Sequence, residues 1–360
     1  MMDRKTLALV LISTGFAALP LGAHAAPPRT DWREVVAPDE AELLSALPAE
    51  FNAMQKRVAA AGEDGPQRGL HNKSHLALRG SLKVLDGLPE AYRQGFFAKA
   101  ATYATWVRFS NGQGQRQEDR RPDMRGMAVK ILDVPGDNFM PEKSFDLVCN
   151  NFAAQPARDI KQFMAFIRAQ KNVLTLPCVL AANIGIGESA RILSWAAHNL
   201  GSRVTSLATT PFFTGLPLQF GPYACHVRLK PNNGPAPEAA NTSNPEYLRD
   251  DLVSRMATTG LRWDVEVQLY VDAQKTPIED ASVVWDERDA PYVKVAELTL
   301  DRRDMGGTQV AADEATGNRL AWNPWNAPKE HRPLGQLMRA RRLVYPASAR
   351  ERGATQPVKP

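Results

Sequence analysis

The chain has 360 residues, of which 44% are hydrophobic and 23% charged, and a formal net charge of +5. That length suffices for one large domain or two ordinary ones. The charge is scattered, with no Lys/Arg block, so nothing favours a nucleic-acid partner. The three cysteines, Cys149, Cys178 and Cys225, are odd in number and include no CxxC pair, which argues against a disulfide framework or a cysteine-ligated zinc. Cys149 and Cys225 fall in apolar strand patterns and read as small core residues, with one disulfide left open.

Residues 1–25 have a basic start (Arg4, Lys5), an apolar run from Leu7 to Phe16, and a small-residue site at Ala23-His24-Ala25. This is the layout of a secretory signal peptide, so the product is expected to be exported, periplasmic, and cleaved after about Ala25. No later stretch approaches ~20 uninterrupted apolar residues, and no membrane span is expected. Thr105–Ser110, Met127–Ile131, Phe145–Asn150, Tyr223–Leu229, Trp263–Val271 and Tyr292–Leu300 follow the two-residue rhythm of half-buried strands. Loops at Asn111–Asp123 and Lys230–Asn244 separate some of them. Helices are expected over Asp159–Gln170, Glu188–Asn199, Pro245–Gly260 (Ser243 or Asn244 as N-cap) and Leu334–Tyr345. No internal repeat is visible. Antiparallel-type strands with helices grouped between them predict an α+β domain over 26–352, closed as a barrel. Residues 353–360 are expected to form a disordered tail.

Five histidines lie beyond the leader: His71, His75, His198, His226 and His331. The patterns HExxH, GxGxxG, Walker A and GxSxG are absent, so a cofactor must be recognised by something less local. Five segments supply it. Arg68-Gly69-Leu70-His71 comes first. Val107-Arg108-Phe109-Ser110 and Asp123-Met124-Arg125-Gly126-Met127-Ala128-Val129-Lys130 follow. Phe145–Asn151 then leads to Arg158-Asp159, and Arg341-Arg342-Leu343-Val344-Tyr345-Pro346 leads to Arg352. In this order the set resembles the haem catalase family over about residues 66–352, patchily between 175 and 320.

The resemblance implies an antiparallel eight-stranded β-barrel with surrounding helices, enclosing haem b. It implies that His71 is the distal histidine, Asn150 its partner, and Tyr345 the iron ligand supported by Arg341. Arg68, Arg108 and Arg352 match residues that bind haem propionates. Ser110 matches the hydroxyl that orients the imidazole, Phe163 a ring that stacks on haem, and Asp123 an acid that helps lead peroxide inward. Asn151 competes with Asn150, since either could cap a turn. His75 and His331 read as structural or surface residues.

The spacing agrees with these roles. Arg108 and Ser110 are two apart on a strand and share a face. Arg341 and Tyr345 are four apart on a helix and share a face, which suits a guanidinium supporting a phenolate ligand. The implied reaction is reduction of hydrogen peroxide or organic hydroperoxides through an oxo-ferryl intermediate, with His71 as acid–base and an unidentified small-molecule reductant. The alternatives are a fatty-acid hydroperoxide isomerase or lyase, and a non-enzymatic haem-binding protein. The oligomeric state is left open.

The chain also departs from the family. Gln155 stands where an aromatic residue guards the distal side, and Ala349 where a histidine follows the tyrosine. The sequence ends fifteen residues after Tyr345, without the helical segment in which some members hold NADPH. A more polar distal side leaves room for larger substrates or donors.

Overall fold

The computed structural model describes residues 25–60, 68–169, 175–201, 203–237, 239 and 241–356. The leader, apart from Ala25, and the last four residues of the tail lie outside them. Nine strands form one sheet: β1 (Ser74–Val84), β2 (Thr102–Asn111), β3 (Arg125–Leu132), β4 (Ser144–Asn150), β5 (Phe212–Phe213), β6 (Leu218–Phe220), β7 (Tyr223–Pro231), β8 (Leu261–Leu269) and β9 (Tyr292–Leu300). The order β5-β4-β3-β2-β1-β9-β8-β7 returns to β5, which pairs with both β4 and β7. Eight antiparallel strands therefore close a barrel, and β6 hairpins onto β7. Closure removes free sheet edges.

Alternation decides which side chains fill the barrel. Val107 and Phe109 of β2, Met127, Val129 and Ile131 of β3, and Phe145, Leu147 and Cys149 of β4 share one buried core with Val227, Leu229 and Trp263. Phe109 packs between Phe212 and Trp263, at centroid distances of 6.2 and 5.6 Å. The intervening residues face outward. Among them Lys130 of β3 sits opposite Asp146 of β4, with Nζ 2.7 Å from Oδ1, and both are fully buried. Asp146 also accepts N–H bonds from Asn323 and Asn326. Burial pushes its carboxyl up in pKa, with Lys130 opposing.

The described residues include seven α-helices around the barrel: α1 (Glu40–Ala60), α2 (Ile160–Ala169), α3 (Leu176–Ile184), α4 (Ile186–Leu200), α5 (Tyr247–Thr258), α6 (Thr308–Arg319) and α7 (Gln336–Glu351). The expected helix at Pro245 starts at Tyr247. Asn244 Oδ1 accepts the Glu246 N–H at 2.9 Å, so it shapes the turn before the helix rather than capping it. The C-terminal helix continues through Pro346 to Glu351. Strand β1 lacks an alternating pattern because His75, Leu76, Ala77 and Leu78 are all buried, with α5 and α6 lying against it. Gly317 lets α6 approach: a Cβ there would stand 2.8 Å from that of Ala77. Helix α1 lies along α7, where the Ser348 hydroxyl donates to Gln55 Oε1 at 2.6 Å and Arg339 pairs with Glu40. Among the described residues no helix is long and apolar enough to cross a membrane. Cys149, Cys178 and Cys225 are free thiols.

Candidate active site

Two rungs of the outer sheet face build the site. Ser110 of β2 pairs with Gly126 of β3, which pairs with Asn150 of β4; beside them run Arg108, Ala128 and Val148. Over these rungs lies a cavity of about 280 Å³, walled also by α1, α2 and α7. All ten residues to which the sequence reading gave a role line it: Arg68, His71, Arg108, Ser110, Asp123, Asn150, Phe163, Arg341, Tyr345 and Arg352.

Among the described residues, His71 is one of two non-glycine residues with positive φ, at 54°, a conformation that persists where the surroundings over-determine it. Its N–H donates to Gly112 O at 2.8 Å, and its carbonyl accepts from Arg108 Nη2 at 3.0 Å. Its Nδ1 is hydrogen-bonded to Ser110 Oγ at 3.1 Å. Burial, aided by the charges of Arg108, Arg341 and Arg68, lowers its pKa to about 3. The imidazole is thus neutral near pH 7. With its proton on Nδ1 and shared with Ser110, the ring keeps a lone pair on Nε2. Gly126 makes this placement feasible: a Cβ there would lie 2.5 Å from Nδ1.

Asn150 Oδ1 accepts the Phe152 N–H at 2.8 Å, and its Nδ2 donates to Gln155 Oε1 at 3.4 Å. Asn151 turns away: its Oδ1 accepts the Arg125 N–H at 2.7 Å, and its own N–H donates to Arg125 O. Of the two asparagines, Asn150 alone lines the cavity. Burial raises the Asp123 pKa against the pull of Arg125; its Oδ2 accepts from Gln113 N and Gln117 Nε2.

Three arginines converge on one carbonyl platform. Arg68 Nη2 donates to Asn318 O (2.8 Å) and Leu320 O (3.1 Å), Arg352 Nη2 to Leu320 O (2.8 Å), and Arg108 Nε to Asn318 Oδ1 (3.2 Å). Burial and mutual repulsion pull Arg68 far below its ordinary pKa; burial, with Arg352 nearby, lowers Arg108 to about 9. Burial lowers Arg352 to about 10. Grouped, buried and held by neutral acceptors, these cations suit an anionic ligand group. On α7, Arg341 Nη1 is buried without a hydrogen-bond partner, and the guanidinium carbon is 5.9 Å from the centroid of the Tyr345 ring. Phe163, Val148, Ala128, Leu337, Ala340 and Val344 give the cavity apolar walls.

The residues present therefore fit haem. Arginines stand ready for its carboxylates, apolar walls for the macrocycle, and a tyrosine for iron. The platform at Asn318 and Leu320 escaped the sequence reading, because two carbonyls and one amide at the end of α6 carry no local signature. Gly126 escaped it as well, because its role is to leave space. The remaining buried histidines are packed elsewhere. His75 Nε2 bonds Asn111 Oδ1 at 2.7 Å, His226 stacks on Trp285 at 3.9 Å, and His331 lies among Phe96, Phe97, Phe145 and Phe220.

Comparison with known proteins points the same way. A family model described as Catalase matches residues 43–175. A protein named catalase from the Onchocerca volvulus endobacterium is 24% identical over 289 residues, covering 71% of this chain and 56% of its own length. A catalase-related peroxidase from Mycolicibacterium paratuberculosis is 25% identical over 278 residues, covering 71% and 82%. The chain thus spans little more than half of the first relative and most of the second. Among solved structures, catalase A from Saccharomyces cerevisiae superposes with a TM-score of 0.65 at 20% identity, over 91% of this chain and 67% of its own. A bacterial catalase gives 0.62 at 21% identity, over 97% and 67%.

Proposed function

We propose that the chain, which matches the Catalase family model over residues 43–175, is a haem b-dependent peroxidase of that family, reducing hydrogen peroxide or an organic hydroperoxide with a small-molecule electron donor. The observation that carries the reading is the meeting, in one cavity, of a neutral His71 and Asn150 with the Arg341–Tyr345 pair and three buried arginines. Tyr345 would hold the iron and Arg341 would support it; Arg68, Arg108 and Arg352 would hold the carboxylates. When bound, haem supplies a ferric centre that binds peroxide and stores the two oxidising equivalents released when the O–O bond breaks.

The chain's own residues manage the protons. His71 Nε2 takes the proton from one peroxide oxygen and returns it to the other, so that the departing oxygen leaves as water or an alcohol. Ser110, hydrogen-bonded to Nδ1, fixes the ring's direction. The Asn150 amide donates to the peroxide and holds it beside His71. Over the cycle ROOH, two electrons and two protons become ROH and water. His71 and Asn150 favour an enzyme over a haem carrier, since ligation alone requires neither.

The test is purified protein reconstituted with haem, its ferric absorption spectrum, and its turnover of hydrogen peroxide and cumene hydroperoxide. Tyr345→Phe should lose the tyrosinate-type spectrum and most haem. His71→Ala should keep both and lose about 10²-fold or more in turnover. No turnover of either peroxide by the loaded wild type would leave the haem-carrier reading in its place. Consumption of a fatty-acid hydroperoxide without a donor would point to an isomerase or lyase. We also read the chain as exported to the periplasm, from the basic, apolar and small-residue pattern of residues 1–25. N-terminal sequencing of the secreted product checks this.

A further inference from the structure

We propose that Asn318, at the end of α6, is a positioning residue for the anionic end of the cavity's ligand: as a neutral acceptor it holds the arginine cluster in place and leaves the cluster's charge to two ligand carboxylates. The inference rests on the haem reading above and assigns a residue which that reading does not use. Arg68, Arg108 and Arg352 belong to the cavity wall and Asn318 does not, so it acts through them. Its Oδ1 accepts from Arg108 Nε at 3.2 Å and its carbonyl from Arg68 Nη2 at 2.8 Å, while Leu320 O accepts from Arg68 and Arg352. The end of α6 is fixed on both sides. Gly317 lies against the sheet, where a Cβ would stand 2.8 Å from Ala77 Cβ and 3.3 Å from Trp106 Cε3. Thr355 N donates to Arg319 O at 2.9 Å, and Thr355 O accepts from Ala321 N at 2.7 Å.

What this platform withholds is a full negative charge. Among the described residues, the three guanidiniums donate to the carbonyls of His71, Asn72, Asn318, Arg319 and Leu320 and to the Asn318 amide, and to no carboxylate. The last carbonyls of α6 carry only about half a negative charge between them. Arginines stay cationic near pH 7, so roughly two and a half positive charges are left uncompensated. Burial lowers the pKa of all three, and mutual repulsion lowers Arg68 and Arg108 further. That excess selects the ligand: two carboxylates nearly cancel it, and an uncharged end gains nothing from it. Aspartate at 318 would have almost the shape of asparagine but would neutralise one guanidinium in advance. It would steady the empty protein and repel the incoming carboxylates.

The experiment compares wild type, Asn318→Asp, Asn318→Leu and Ala315→Asp, the last adding a charge at an exposed site on the same helix. Haem-free proteins are melted by calorimetry near pH 7, with and without inorganic pyrophosphate, and circular dichroism identifies any variant that fails to fold. Release of protohaem and of its dimethyl ester, which lacks the carboxylates, is followed by transfer to apomyoglobin. Asn318→Asp should melt a few degrees higher when empty and release protohaem about tenfold faster, with the ester's rate unchanged. Asn318→Leu should melt lower and release protohaem about fivefold faster, because Arg108 loses an anchor. Pyrophosphate should raise the melting point of wild type more than that of Asn318→Asp. Ala315→Asp should match wild type throughout. A residue that merely holds the fold would make the Asp and Leu variants both melt lower and release both porphyrins faster; that result, or the same changes in Ala315→Asp, would overturn the assignment. If wild type takes up neither porphyrin yet pyrophosphate stabilises it more than Asn318→Asp, the role of Asn318 stands and the haem reading falls. No response to pyrophosphate or to either porphyrin would overturn both.

Discussion

Replacing Gly126 by alanine isolates the placement of His71 from its chemistry. The added methyl would lie 2.5 Å from Nδ1, 2.8 Å from Cε1 of His71 and 2.9 Å from Ser110 Oγ. Ordinary contact begins near ~3.4 Å, so the ring must retreat by about 0.9 Å. It cannot do so freely, because its backbone is held by Gly112 O and Arg108. The overpacking should cost about 1–3 kcal/mol of stability. The displacement should cost about 10²-fold in kcat/KM for either peroxide, the usual price of misplacing a catalytic group by ~1 Å. The residues proposed to hold haem are untouched, so haem content and the ferric spectrum should match wild type. Steady-state kinetics of the haem-replete variant, beside a urea melt, make the measurement. Activity within about threefold of wild type, or a loss that only follows missing haem, would refute the argument that Gly126 sets the imidazole position.

Three further outcomes follow from buried charge. His71 and His226 are held at a pKa of about 3 and His331 at about 4 by burial, below the ~6.5 of the unfolded chain. Their contribution is complete above about pH 6.5 and is lost as pH falls toward 4, where only the unfolded chain takes the protons. Near pH 5 stability should fall by about 4 kcal/mol per pH unit; a urea midpoint unchanged between pH 7 and 5 would contradict this. Arg68→Leu relieves like-charge repulsion, so the haem-free protein should melt a few degrees higher while haem dissociates about 10–100-fold more readily; calorimetry and haem transfer to apomyoglobin read the two signs. Lys130→Met strands the Asp146 carboxylate and should cost about 3–5 kcal/mol by denaturant unfolding, with Lys130→Met/Asp146→Asn recovering more than half; equal losses would show that the pair is not coupled.

The long-strand framework of the barrel was legible wherever one side of a strand meets the core and the other meets polar neighbours. Arg108 and Ser110 could be placed on one face from their spacing alone, and β2 keeps them there. Strand β1 was not legible, since His75 to Leu78 are covered on both sides and the alternation vanishes. Nor was β5, two phenylalanines whose importance lies in joining β4 to β7. Pro346 looked like a helix end, yet α7 carries it internally and so brings Ala349 and Arg352 to the cavity with Tyr345. Long-range partners such as Asn318, 210 residues from Arg108, leave no trace in local pattern.

The packing of α1 on α7 has a consequence for assembly. Gln55 and Ser348 are 293 residues apart, and their helices wall the same cavity. The cavity is therefore complete only when α1 and α7 have met, after the barrel between them gives both a surface to dock on. Closing so long a loop carries an entropic penalty and belongs late in folding. A ligand that requires the finished chamber binds the native state alone and draws the equilibrium toward it by mass action. Cofactor capture would then act as a clasp, and a nascent chain would hold haem tightly only once its last helix had arrived.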